Sequence, residues 1–320
     1  MRTIVCPELG SLEHLIIEER EPPVAGEGQV VVQVRAAGVN YVDGLMCQGR
    51  YQIKPATPFV PGSELAGEVV SIGTGVAPGD RVVVFSGLGA FAEQVAVSAL
   101  SVLPMPDGLT YAQAAALIQS YGTALFALTR RTSVVEGEHV LVLGAGGGIG
   151  LAVVDVARAL GARVIAAASS QAKLEAARAM GAQWTIAYEH EDLKVRARAL
   201  SDGGVDVVVD PVGGAHSEPA LRALRPFGRF CVIGFAAGPI PTIPLNQVLL
   251  NNRTVVGVDW GGWMFRDPEG NQRVLAHLAD LVGRGRLHPT APTEFPLSAA
   301  ARVMSDLIDR SLVGKAVLVP

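Results

Sequence analysis

The chain has 320 residues, 49% of them hydrophobic and 18% charged, with a formal net charge of −4. A chain of this length buries a large core and is expected to divide into two domains, and its balance of apolar to charged residues excludes a disordered protein. The slight acidic excess, with no basic run, excludes nucleic acid as the expected partner, and no apolar stretch reaches the ~20 residues that a membrane-spanning helix needs.

The opening residues, MRTIVCPE, lack the hydrophobic region of a signal peptide. Cys6, Cys47 and Cys231 are too scattered for a C-x-x-C pair or a disulfide framework. The cytoplasm is the expected compartment.

Residues 1–115 read as mostly β. Short β-branched runs at 29–35, 66–72, 80–85 and 91–97 are separated by turn signals at Pro22-Pro23, Gly26, Pro58, Pro61-Gly62, Gly73, Pro78-Gly79 and Gly87. That spacing predicts a compact, barrel-like domain. Between these runs, residues 38–49 read as a polar loop with a short helix. Helical signals begin near Thr110 and continue over 112–117 and 122–128.

The stretch HVLVLGAGGGIG at 139–150 organises the second half. Residues 140–143 read as a strand buried on both faces, and 151–160 read as a helix closed by Gly161. A glycine-rich turn between strand and helix is what a pyrophosphate needs: backbone approaches closely, and free N–H groups with the positive helix end face the anion. The spacing here is G-x-x-G-x-x-G, through Gly144, Gly147 and Gly150, rather than a strict G-x-G-x-x-G. Glycine clusters also make ordinary turns, so the strand-to-helix context carries the assignment to a dinucleotide.

Where an NAD enzyme places an acid for the ribose hydroxyl, after the strand 163–168, this sequence has Ser169, Ser170 and Lys173. Two hydroxyls and a lysine suit the 2′-phosphate of NADPH. The competing reading makes Ser170 a helix cap and Lys173 a solvated side chain.

From residue 138 onward, strands are predicted at 140–143, 163–168, 184–188, 205–210, 228–233 and 254–258, and helices at 149–160, 171–180, 191–200 and 216–224. The alternation predicts an α/β, doubly wound parallel sheet. A helix at 271–283, a second at 299–309 and a strand at 316–319 follow. Residues 262–320 are expected to return to the first domain.

Several blocks occur in order: 37–43, 58–64 with 66–69, and 79–82 before the glycine loop; then Lys173, Gly181-Ala182, 210–214, Gly228-Arg229, Gly234-Phe235 and 314–318. Over nearly its full length the chain resembles the medium-chain dehydrogenase/reductase superfamily, in its zinc-free quinone oxidoreductase (zeta-crystallin-like) branch. The resemblance implies a GroES-like β-barrel substrate domain at 1–120, completed by 262–320. It also implies a Rossmann domain at 121–261 that binds NADPH and pairs into a homodimer.

Zinc-bearing members have Cys where this chain has Asn40 and His where it has Ser63. Glu64 alone cannot make a three-ligand catalytic site, and the six histidines show no i,i+4 pairing. No metal is expected. A hydride acceptor that needs no strong Lewis acid, a quinone or an activated C=C, fits that expectation.

The resemblance also implies residue roles. Gly144, Gly147, Gly148, Ile149 and Gly150 would hold the pyrophosphate. Tyr188 would lie beside the adenosine phosphate, and Thr123 near the nicotinamide. Val212, within the turn after residue 210, and Gly234 with Phe235 end strands that should cover the cofactor. Asn40 would order the nicotinamide ribose or a substrate oxygen, or else stabilise its loop. Asp43 would fix loop geometry.

Tyr51 matches the tyrosine of an R-x-G-x-Y block and would donate a hydrogen bond or proton to the product, or else be an ordinary aromatic at the domain edge. Cys47 replaces that block's arginine, although Arg50 is near. Tyr41, Tyr51 and Trp260 are candidate pocket walls, with core packing the competing role for Tyr41 and Trp260. The expected activity is NADPH-dependent reduction of quinones or related α,β-unsaturated carbonyl compounds. The alternatives are a 2-enoyl thioester or enone double-bond reductase and a non-catalytic NADPH-binding protein.

Overall fold

A computed structural model describes residues 1–73 and 75–320. The chain divides into two compact units: unit 1 comprises Met1–Gln119 with Thr290–Pro320, and unit 2 comprises Ser120–Pro289.

In unit 1, β1 (Arg2–Val5) and β2 (Ile16–Glu19) form an antiparallel ribbon. The strands β3 (Gln29–Val39), β4 (Glu64–Val69), β5 (Arg81–Phe85), β6 (Gln94–Ser98) and β7 (Val102–Pro104) pair antiparallel around β3 and β4. β3 is the organising strand. Its first half pairs with β6, and its register against β4 shifts between Val34 and Ala36, a bulge that re-aims the strand. Alternate residues Val30, Val32 and Val34 face a core shared with Leu65, Val82, Val84 and Phe91, as the period of two in a half-buried strand dictates.

Unit 2 contains β8 (His139–Leu143), β9 (Arg163–Ala168), β10 (Trp184–Ala187), β11 (Val205–Asp210), β12 (Leu224–Val232) and β13 (Thr254–Gly257). All are parallel, in the order β10-β9-β8-β11-β12-β13. This is the doubly wound order 3-2-1-4-5-6, whose ligand crevice opens at the carboxyl ends of the first and fourth strands. All five residues of β8 are buried; covered on both faces by helices, a parallel strand reads as a continuous apolar run. The crossover helices are Gly148–Ala159, Gln171–Ala179, Leu193–Ala199 and Ser217–Ala223.

The return to unit 1 begins at Thr290, not at residue 262. The helix Pro268–Gly283 stays in unit 2 because it buries Val274, Leu278 and Leu281 there, and its Asn271 Oδ1 accepts the indole N–H of Trp260 at 3.1 Å. The tail then supplies β14 (Thr293–Pro296), the helix Ala300–Ile308 and β15 (Ala316–Val319). β15 pairs antiparallel with the second half of β3, with Ala316 opposite Val39. Leu297, Val303, Met304 and Leu318 thereby enter the unit 1 core. Among the described residues no helix is long and apolar enough to cross a membrane.

Candidate functional site

The glycine loop of unit 2 lies at the carboxyl end of β8. Gly147 caps the helix Gly148–Ala159, so Gly148, Ile149 and Gly150 occupy its first turn, where N–H groups have no preceding carbonyl within the helix. That turn suits an anion. Gly150 is required by close approach: a Cβ there would stand 2.2 Å from the Gly144 carbonyl oxygen. At Gly146, which sequence reasoning left between the spaced glycines, a Cβ would meet Lys173 Cβ at 2.3 Å. The lysine stem therefore lies over the loop rather than out in solvent, and Lys173 is half-buried.

Ser169 and Ser170 follow β9 and are exposed. Ser170 occupies the N-cap position of the helix Gln171–Ala179, as the competing reading expects, yet its side chain makes no capping bond. Tyr188, just past β10, is half-buried, with its ring centroid 4.1 Å from that of His216. In the sequence His216 is one scattered histidine among six, and only tertiary structure brings it here.

At the end of β11, Asp210 Oδ1 accepts the N–H groups of Val212 and Gly213, each at 2.8 Å, and Oδ2 accepts the Ser217 hydroxyl at 2.6 Å. This carboxylate folds the 211–213 turn back on itself. Val212 Cγ2 stands 2.7 Å from where a Gly144 Cβ would be, and Phe235 Cδ1 stands 2.9 Å from the same point on Gly213. Gly234 N–H donates to the Asp210 carbonyl at 3.3 Å. Gly144, Val212, Gly234 and Phe235 are thus gathered at adjoining strand ends.

Unit 1, taken by itself, holds a buried polar cluster. Asn40 precedes the helix Tyr41–Cys47, and its N–H donates to Asp43 Oδ2 at 2.8 Å. Its amide nitrogen donates to Ser63 Oγ at 3.3 Å and to Glu64 Oε1 at 3.0 Å. Lys315 Nζ donates to the Asn40 side-chain oxygen and, at 2.8 Å, to Glu64 Oε1. Glu64 Oε2 accepts the Gln119 N–H at 2.8 Å. The antiparallel pairing of Ala316 with Val39 sets Lys315 beside Asn40.

Asp43 is wholly buried, and one of its oxygens, Oδ1, lacks a hydrogen-bond partner. Burial pushes its carboxyl up to about 7, while the Asn40 N–H and the Lys315 ammonium pull the other way.

This donor set does not fit a zinc ion. An ammonium already sits on Glu64, Asn40 presents N–H toward Glu64 and Ser63, and its one oxygen is held by Lys315. Among the described residues no three His, Cys, Asp or Glu side chains converge as a metal site. Both amide donors of Asn40 are spent within the cluster, as the loop-stabilising reading expects.

The remaining sequence candidates fall in different settings. Trp260 is 2% exposed, bonded to Asn271 and packed on Gly122, where a Cβ would meet Trp260 Cζ2 at 2.9 Å. It packs in the core of unit 2, the role that competes with a pocket wall. Thr123 is buried in the helix Ile118–Leu125. Tyr41 and Tyr51 are half-buried, Tyr41 opening the helix Tyr41–Cys47 and Tyr51 in the bend that follows it. Cys47 is buried in the unit 1 core, and Arg50 turns to Gln48 at 3.1 Å.

Comparison with known proteins follows the same division of the chain. A family model described as an alcohol dehydrogenase GroES-like domain matches residues 26–107, and one described as a zinc-binding dehydrogenase matches residues 148–279. A quinone oxidoreductase-like protein 2 of Bos taurus is 38% identical over 322 residues, spanning 99% of this chain and 92% of the relative. Among solved structures, the quinone oxidoreductase from Thermus thermophilus, solved also as its complex with NADPH, is 37% identical at a TM-score of 0.87 and covers 100% of both chains. The Escherichia coli quinone oxidoreductase complexed with NADPH is 29% identical at a TM-score of 0.89, again over 100% of each chain. With its GroES-like and Rossmann domains in that order, the chain belongs to the medium-chain dehydrogenase/reductase superfamily, in its quinone oxidoreductase-like branch.

Proposed function

We propose that this chain is an NADPH-dependent, zinc-independent reductase of quinones or related α,β-unsaturated carbonyl compounds. The observation that carries the reading is the Lys315 ammonium seated on Glu64 and Asn40, where zinc-bearing members would keep metal ligands. A fixed monovalent charge buried beneath its own hydrogen bonds does not polarise a substrate carbonyl as a metal does. The acceptor is therefore one that takes hydride readily and whose developing oxyanion needs only hydrogen bonds and a proton.

NADPH, when bound, supplies the hydride. The first-turn N–H groups of Gly148, Ile149 and Gly150 bind its pyrophosphate, with Gly144 and Gly147 shaping the turn. Lys173 lies over Gly146, and the exposed hydroxyls of Ser169 and Ser170 follow the next strand, with no carboxylate between Ser169 and Lys173 to favour a free ribose hydroxyl. Tyr188 flanks the adenosine side and Thr123 the nicotinamide. Val212, Gly234 and Phe235 cover the cofactor from the strand ends, and Tyr51 or water returns the proton. Asn40 acts through the loop it stabilises.

The open edge strand β13, mostly exposed, lies near exposed Leu245, Leu249 and Leu250 in sequence. An uncovered edge beside apolar side chains supports a homodimer formed through unit 2. Three buried, free cysteines suit a reducing compartment, the cytoplasm.

The test is NADPH oxidation in EDTA with an ortho-quinone, a 2-enone and an enoyl-CoA in parallel. Fast quinone turnover supports the reading. Turnover of the enone or thioester alone moves the function to double-bond reduction, and NADPH binding without oxidation of any acceptor leaves a binding protein.

A further inference from the structure

Unit 2 joins unit 1 at two places, between Gln119 and Ser120 and between Pro289 and Thr290. One buried carboxylate holds the chain beside both. Asp155 lies in the helix Gly148–Ala159, about two turns beyond the glycine loop, with its side chain 1% exposed. Its Oδ2 accepts the phenol hydrogen of Tyr121 at 3.1 Å and the backbone N–H of His288 at 2.7 Å. Its Oδ1 pairs with Arg158 Nη2 at 2.7 Å.

The same guanidinium nitrogen donates to the Arg286 carbonyl at 2.8 Å and lies 2.8 Å from His288 Nδ1. A guanidinium has no lone pair, so His288 Nδ1 can only accept there, sharing one of the two Nη2 hydrogens that Asp155 and Arg286 also draw on. Burial, and then the Asp155 charge, push the Tyr121 phenol far above its usual range, which keeps it a donor.

The setting makes this carboxylate unusual. Its neighbours in the helix, Val153, Val154, Val156 and Ala157, are buried and apolar. A charge in such a place is tolerated only when its acceptor capacity is used, and here the donors come from the first residues of the unit, the last, and the helix itself.

We infer that Asp155 is a positioning residue that ties both chain connections of unit 2 to the helix whose first turn binds the dinucleotide. Occupancy of the glycine loop is thereby felt at residues 120–121 and 286–289. The link to the cofactor rests on the function proposed above; the clasp itself does not.

Hydrogen–deuterium exchange on the full chain, with and without saturating NADPH, tests this at peptides covering 118–125 and 284–290. In the unaltered protein NADPH should slow exchange at both. Asp155→Asn keeps the shape but removes the charge; exchange at His288 should rise by roughly 10- to 100-fold, and NADPH should still bind without slowing it. Tyr121→Phe, which deletes one hydroxyl and decides the matter should Asp155→Asn fail to fold, should lose NADPH protection at 118–125 while keeping it at His288.

Unchanged exchange at His288 in Asp155→Asn overturns the inference. So does protection at both segments in Tyr121→Phe, or NADPH binding to the unaltered protein without protection at either. Should NADPH not bind at all, the cofactor assignment fails, and the exchange rates without ligand still decide the clasp.

Discussion

Replacing Lys315 with methionine takes an ammonium from a site where it is 10% exposed and leaves Glu64, 1% exposed, without its counter-charge. Breaking a buried pair from one side costs about 3–5 kcal/mol, because the remaining charge is stranded. Glu64 keeps the Asn40 amide at 3.0 Å and the Gln119 N–H at 2.8 Å, which places the cost near the lower end. For a domain of this size, about 3 kcal/mol lowers the melting temperature by roughly 6–12 °C.

Thermal unfolding followed by circular dichroism reads this directly, with the Lys315→Met, Glu64→Gln double variant as the control. Removing both charges leaves side chains of similar volume and no stranded charge, with the new amide still able to hydrogen-bond, so the double variant should recover most of the loss. A Lys315→Met protein within about 1 kcal/mol of the parent, or a double variant no better than the single one, would refute the idea that this ion pair organises the Asn40 loop.

Asp43 makes stability depend on pH. Its carboxyl rises on folding from 3.8 to about 7, so the folded protein retains a proton that the unfolded chain releases over that interval. Its contribution is full below about pH 4 and lost as pH climbs to about 7, a fall of roughly 4 kcal/mol. Asp43→Asn should abolish this fall in urea titrations at about pH 5 and about pH 8, whereas equal pH slopes in the two proteins would exclude it. Lys173→Ala should raise KM for NADPH about 10- to 100-fold and leave KM for NADH nearly unchanged; equal effects on both would remove the 2′-phosphate assignment. Tyr51→Phe should leave the NADPH Kd intact and lower kcat about a hundredfold, and an unchanged kcat would make water the proton source.

The parallel sheet of unit 2 was legible because its strands are short apolar runs, the first five of them separated by crossover helices, and all six lie within a few residues of the bounds the sequence predicts. The strands β1, β2, β7 and β14 were not. β2 is Ile-Ile-Glu-Glu with mostly exposed side chains, and an edge strand of that length carries no period-two pattern to read. The glycine loop announced itself through local context, but the cluster around Asn40 did not. Lys315 lies 275 residues away and reaches Asn40 only through the pairing of β15 with β3, a relation that no local window contains. A visible clue was a lysine placed directly before the apolar run of 316–319. For Trp260 the sequence left core packing and a pocket wall side by side, and the bond from its N–H to Asn271, eleven residues on, lies outside any local pattern.

The pairing of β15 with β3 also bears on the order in which the protein is made. Unit 2 is one uninterrupted stretch, whereas unit 1 lacks a strand until residues 316–319 have been synthesised. During translation the doubly wound sheet has all its strands first, while residues 37–39 at the end of β3 wait with open backbone groups. That waiting edge is a template for pairing with another nascent chain. A chain truncated anywhere between residues 290 and 315 would therefore hold every strand of the parallel sheet while the end of β3 lacked its β15 partner.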